Sequence, residues 1–189
     1  MNKTLQQIDK DKKYKPIIMI PARIGSTRLK GKLLEKIAGK PMIWHVWSRA
    51  VKSSVGEVIV ATDSASIFEI IISAGGKAFL TKKDHLSGSD RIYEALENLD
   101  PEEKFDLVIN LQGDLPDINP SILSDLFYSI GSEDITTLVK IAKKNEIFDT
   151  SVVKVAIAWE NNKSKFKSGK GLYFSRSTIP YNSKKFWHH

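Results

Sequence analysis

Residues 21–32 read PARIGSTRLKGK and set four cations, Arg23, Arg28, Lys30 and Lys32, among the small residues Ala22, Gly25 and Ser26, directly after the apolar run IIMI (17–20). A stretch of this kind suits a polyanion. Small residues let backbone amides approach it, a guanidinium offers paired hydrogen bonds, and an ammonium is a compact charge. The pattern is not a P-loop, because five residues separate Gly25 from Gly31 and Lys32 is followed by Leu33 instead of a hydroxyl residue. The dinucleotide fingerprint G-x-G-x-x-G does not occur. A plain basic surface loop is the competing explanation, but the stretch contains no acidic partner, and phosphate binding accounts for it better.

The elements that must position this loop are legible as alternating patterns. IIMI (17–20), EVIVAT (57–62), KAFL (77–80) and DLVINL (106–111) read as strands, and PMIWHVWSRAV (41–51), SIFEIIISAG (66–75), DRIYEALENL (90–99) and PSILSDLFYSI (120–130) read as helices. Continuous β-branched runs such as IIMI, VIVA and LVIN imply strands covered on both faces, so the expected fold class is α/β, a doubly wound, mostly parallel Rossmann-like sheet. Pro41 sits at a first-turn position, Gly75-Gly76 ends one helix, and Asn119-Pro120 opens another. After residue 130 the alternation gives way to ITTLVKIAK, VVKVAIAW and GLYFS, which predict a smaller, partly antiparallel extension. The first fifteen residues are polar and aperiodic and read as an arm, leaving 16–189 as one domain. In open α/β sheets ligands bind at the carboxyl edge of the strands. The basic loop follows the first strand there, and QGDLP places Gln112 and Asp114 at the same edge.

Composition bounds the function classes. The 189 residues are 41% hydrophobic and 27% charged, which is globular and not disordered. No apolar run approaches the roughly 20 residues of a membrane span, and the N-terminus has no apolar stretch that could serve as a secretion signal, so a cytoplasmic location is expected. The absence of cysteine excludes disulfides, thiolate metal sites and cysteine nucleophiles. The net charge of +7 is concentrated at the end of the chain: residues 140–189 hold eleven Lys or Arg and three Asp or Glu. In NNKSKFKSGK the lysines mix with Asn, Ser and Gly as in an exposed turn, and no aromatics are interleaved at stacking spacing, so neither a nucleic acid nor a membrane is expected as a partner.

Taken together, IIMIPARIGSTRLKGKLLEKIAGKPMIWHV, VIVATD (58–63), TKKDHLSGSDRI (81–92), VINLQGDLP (108–116) and GLYFSRSTIPY (171–181) resemble, in order and over almost the whole chain, the 3-deoxy-manno-octulosonate cytidylyltransferases, or CMP-Kdo synthetases. The resemblance implies a nucleotide-diphospho-sugar transferase type of fold. It also implies transfer of CMP from CTP to 3-deoxy-D-manno-octulosonate (Kdo), with pyrophosphate released, Mg2+ as cofactor, and lipopolysaccharide synthesis as the destination of the product. It implies that Arg23 and Lys32 hold the CTP phosphates with Arg28 beside them, and that Asp114 is the magnesium ligand. By the same resemblance Ser87 and Gly88 let the backbone approach the cytosine base, Arg91 adds a phosphate or ribose contact, Gln112 touches the sugar acid, and Arg176 meets an anionic group of a substrate. Read without it, Ser89 would cap a helix with Asp90 in its first turn, Asp114 would be a turn residue, and Asp63 would cap the next helix. His45 is assigned to packing or a solvated face, and His85 to bracing its loop.

Three departures from the family pattern stand out. Lys30 occupies a position that is usually proline, Leu115 one that is usually glutamate, and the chain stops at FWHH, short of a C-terminal part that would carry much of the sugar pocket and the helix of the family's homodimer. A CTP-binding remnant without activity and a CMP-sialic acid synthetase-like enzyme are the alternatives, and DHLSGSDR and YFSRSTIP fit the Kdo enzyme better.

Overall fold

The computed structural model describes residues 14–25, 31–130, 133–160 and 167–189. Where the sequence points to one domain over 16–189, the chain forms two compact units, Lys12–Ser129 and Ile130–His189, divided where the strand–helix alternation stops. Lys15, assigned from sequence to the arm, is instead tied down: its amide donates to Asp106 Oδ1 at 2.6 Å.

The run IIMI becomes the middle of β1 (Pro16–Ala22) because it is apolar at every position and both faces of the strand are covered. Ile18 and Ile20 enter one core and Ile17 and Met19 the other, the period-2 alternation of a strand. A single 3-10 turn at Lys32–Leu34 and the small hairpin of β2 (Lys36–Ile37) and β3 (Lys40–Pro41) lead into α1 (Met42–Lys52). Then β4 (Glu57–Thr62), α2 (Ala65–Ser73), β5 (Lys77–Leu80), α3 (Gly88–Leu99), β6 (Leu107–Asn110) and α4 (Pro120–Ser129) follow. The strand order is β5-β4-β1-β6, all parallel. Side chains of α1, α2 and α4 pack on the Ile18 face and Ile92 and Ala95 of α3 on the Ile17 face, giving the expected helix–sheet–helix layers. One expectation is corrected. LVIN is not covered on both faces, since β6 is an edge strand of the described sheet and Val108 is 38% exposed.

Helix ends follow local chemistry. Asn119 Oδ1 accepts from the Ser121 amide ahead of α4, as Asn119-Pro120 predicts. Ser64, not Asp63, caps α2, accepting from the Ile67 amide.

The second unit is an antiparallel sheet in the order β7 (Lys140–Ile141), β10 (Trp187–His188), β8 (Lys154–Trp159), β9 (Gly169–Ser175). VVKVAIAW and GLYFS thus form strands as expected, while ITTLVKIAK pairs only at Lys140–Ile141, where β10 reaches it. Residues 161–166 of NNKSKFKSGK, where the sequence leads one to expect a turn, lie outside the described residues. Lys154 is fully buried, and its ammonium donates to the carbonyls of Asp149, Val152 and Arg176 at 2.8, 2.9 and 2.6 Å.

Candidate active site

In the first unit the chain winds outward from β1 through β4 to β5 and then crosses to place β6 on the other side of β1. The order reverses at β1, and the loops leaving β1 and β6 diverge from neighbouring strand ends, which is where an open α/β sheet makes its crevice. Both loops single themselves out in the sequence. Lys32 Nζ, from the first, lies 3.1 Å from Asp114 Oδ2, from the second.

Local packing holds the two loops at this distance. Leu33, next to Lys32, is buried in the core beside Ile43, so the ammonium is anchored by its neighbour. Gly113 sits where an added Cβ would stand 3.0 Å from the Pro21 carbonyl, so a residue without a side chain lets the β6 loop approach β1 this closely with no neighbour displaced. Arg49 of α1 fastens the rest of the loop, donating to the Pro116 and Ile118 carbonyls at 2.9 and 3.3 Å and pairing with Asp117 at 3.2 Å. Lys32 and Asp114 keep 40% and 53% of their side-chain surface in solvent, so each has room to turn toward a ligand. Arg23 is exposed just past β1 and Gln112 is exposed just past β6, its Nε2 donating to Asn110 Oδ1 at 3.0 Å. Arg28 and Lys30 lie outside the described residues. Leu115 is 45% exposed beside Asp114.

On the opposite side of β1, the segment Thr81–Ser87 joins β5 to α3, and its contacts correct two expectations. The helix cap is Ser87, not Ser89: Ser87 Oγ accepts from the Asp90 amide at 3.1 Å while Asp90 Oδ2 accepts from the Ser87 amide at 3.0 Å, a reciprocal capping box. Arg91 does not reach an open site. It is 2% exposed, its guanidinium pairs with Asp63 at 3.0 Å, and it also donates to Thr81 Oγ1 and to the Lys82 carbonyl, so its charge is already neutralised inside the protein. Asp63 serves as that partner and accepts from the Ile24 amide at 3.4 Å. His85 braces the segment, Nε2 donating to Glu94, whose carboxylate also accepts from the Lys82 amide at 3.0 Å. The His85 hydrogen bond, with the Lys82 amide adding to it against some burial, holds the Glu94 carboxyl below its ordinary value. Gly88 faces β1: a Cβ there would meet the Pro21 ring at 3.1 Å. Pro21 is therefore flanked by two glycines, Gly88 at the start of α3 and Gly113 in the β6 loop.

A family profile described as cytidylyltransferase matches residues 17–188. The 3-deoxy-manno-octulosonate cytidylyltransferase of Paramagnetospirillum magneticum is 44% identical over 177 residues, covering 92% of this chain and 71% of its own length. That of Bartonella henselae is 47% identical over 179 residues, with the same coverage of 92% and 71%. The chain belongs to the 3-deoxy-manno-octulosonate cytidylyltransferases. A solved structure of CMP:2-keto-3-deoxy-manno-octonic acid synthetase complexed with CTP superposes with a TM-score of 0.76 at 39% identity, over 93% of this chain and 71% of that one. A 4-diphosphocytidyl-2C-methyl-D-erythritol synthase, with a TM-score of 0.57 at 12% identity, shares the fold.

Arg176 of this cytidylyltransferase belongs to the second unit, where its guanidinium donates to the Thr150 and Ser151 carbonyls at 2.9 and 3.1 Å. His45 turns to the β2–β3 hairpin, its Nε2 2.7 Å from the Ile37 carbonyl, a packing role as expected. The residues that sequence reasoning passed over are Arg49 and Glu94. Glu94 was signalled by spacing alone, since Asp90, Arg91 and Glu94 share one helical face toward the preceding segment.

Proposed function

We propose that this chain transfers the cytidylyl group of CTP to 3-deoxy-D-manno-octulosonate at the crevice between the β1 and β6 loops. The anomeric oxygen forms a bond to the α-phosphorus, the bond between the α-phosphorus and the bridging oxygen to the β-phosphate breaks, the hydroxyl loses its proton to solvent, and pyrophosphate departs. Lys32 and Arg23 neutralise and orient the triphosphate, so that the sugar oxygen does not meet an unscreened array of negative charge. Gln112, exposed next to Asp114, faces the sugar acid, and the backbone at Ser87 and Gly88 reads the base.

Asp114 suits a magnesium ion. Its half-exposed carboxylate offers an oxygen ligand, and Mg2+ takes one or two protein carboxylates and completes its shell with phosphate oxygens and water, with the Lys32 ammonium free to turn to the phosphates. Bound there, Mg2+ would neutralise charge developing on the phosphate oxygens. The proposal includes a cytoplasmic location. No helix among the described residues is long and apolar enough to cross a membrane.

The observation that carries this reading is the meeting of Lys32 and Asp114 at the sheet's reversal point. Two measurements on the 189-residue chain test it. CTP with Mg2+ is expected to raise the melting temperature more than UTP or ATP does, as linkage between binding and folding requires. Pyrophosphate is expected only when Kdo and CTP are both present. Equal shifts for the three nucleotides refute the base assignment, and absence of pyrophosphate refutes the transfer.

A further inference from the structure

The Thr81–Ser87 segment has little backbone bonding of its own. The Thr81 amide donates to the Thr62 carbonyl and the Ser87 carbonyl accepts from the Arg91 amide, and between these ends the contacts come from side chains of α3. Arg91 takes the beginning through Thr81 Oγ1 and the Lys82 carbonyl, Asp90 takes the end through Ser87, and Glu94 takes the middle through the Lys82 amide and His85. Glu94 differs from the other two. Arg91 is buried with Asp63 and is committed to the core, and Asp90 completes a helix cap, whereas Glu94 makes no contact except to this segment among the hydrogen bonds and ion pairs of its side chain. Its carboxylate and the His85 ring are 19% and 17% exposed, so water competes little for either.

We propose that Glu94 is a positioning residue for nucleotide selectivity, holding Lys82 and His85 so that the backbone around Ser87 and Gly88 stays fixed for reading the base. This rests on the cytidylyl transfer proposed above. Backbone groups distinguish the amino edge of cytosine from the carbonyl edge of uracil only if they are held within about 0.5 Å of one geometry. A segment with no strand or helix of its own achieves this only through outside ties. Releasing the middle tie leaves both ends attached and lets the segment adjust to either base. Base contacts are made alike to substrate and transition state, so their loss raises KM and leaves kcat nearly unchanged.

The test compares the full chain with E94A, E94Q and H85A, measuring kcat and KM for CTP and for UTP with Kdo, alongside the melting temperature without nucleotide. In E94A the CTP-to-UTP preference is expected to fall about tenfold through KM for CTP, the scale of losing hydrogen bonds to a charged group. E94Q, which keeps an acceptor oxygen for the Lys82 amide, retains most of the preference, and H85A falls between. A lowered melting temperature with an unchanged preference would mean that Glu94 is merely structural and overturns the proposal. If E94A does not fold, an unchanged preference in both E94Q and H85A overturns it equally. A wild-type chain that uses CTP and UTP alike defeats the base reading itself, an outcome distinct from failure at Glu94 alone.

Discussion

Lys32 and Asp114, 82 positions apart in the chain, are brought to 3.1 Å by loops that leave adjacent strands β1 and β6. Half-exposed pairs of this kind contribute about 1 kcal/mol or less to stability, because water already solvates both charges and the long lysine side chain loses freedom. The arrangement is therefore worth more as a ready cation and a ready anion at one crevice than as a fastening.

This separation of roles gives the first prediction. Lys32→Ala and Asp114→Asn should each lower kcat/KM for CMP transfer by roughly 10²–10³, the scale of removing one preorganised charge partner, while the melting temperature of the nucleotide-free chain changes by only a few degrees. Steady-state pyrophosphate release and calorimetry on the same preparations check it. Activity within threefold of wild type in both variants rules the two residues out of the chemistry.

Gly113→Ala should damage activity without touching a charge. The added methyl lands 3.0 Å from the Pro21 carbonyl, which belongs to the backbone of β1, so the β6 loop is the part expected to shift by a few tenths of an ångström, carrying Asp114 from Lys32. About 1–3 kcal/mol of overpacking is expected, read as a lower urea midpoint, together with at least a tenfold loss in kcat/KM. A variant with a lower midpoint and full activity would show that the spacing of the two loops is not critical.

Arg91→Met should act on stability first. It strands the Asp63 carboxylate, which is 14% exposed, without its partner, and removing one member of a buried pair costs about 3–5 kcal/mol. The double variant Arg91→Met with Asp63→Asn should recover part of that loss. Urea unfolding with an unchanged slope measures both. Equal stability of Arg91→Met and wild type would mean that the buried charge has another partner.

Most of the architecture is legible in the residues taken in order. Runs such as IIMI and VIVA are apolar at every position, which suits a strand covered on both faces, and Asn119-Pro120 and Gly75-Gly76 mark helix ends through their own backbone chemistry. The basic loop and QGD announce polyanion chemistry because charge, small size and position after a strand are all local properties. Where a prediction depended on what lies across space, it went astray. LVIN is largely apolar but ends up at an edge, and ITTLVKIAK has strand propensity along its length but a ladder partner only at Lys140–Ile141, with one further backbone bond from the Ala142 amide to the Phe186 carbonyl.

The sequence alone determined the class of fold, the family, and the presence of cations after the first strand with a carboxylate after a later one. Tertiary structure alone decided which charges meet. Lys32 finds Asp114 in an open crevice, whereas Arg91, equally basic on paper, is drawn beneath its loop to Asp63. The reason is that attraction between charges depends on their separation and on the water left around them, and both are set by strand order and layer packing, which no single stretch of residues encodes.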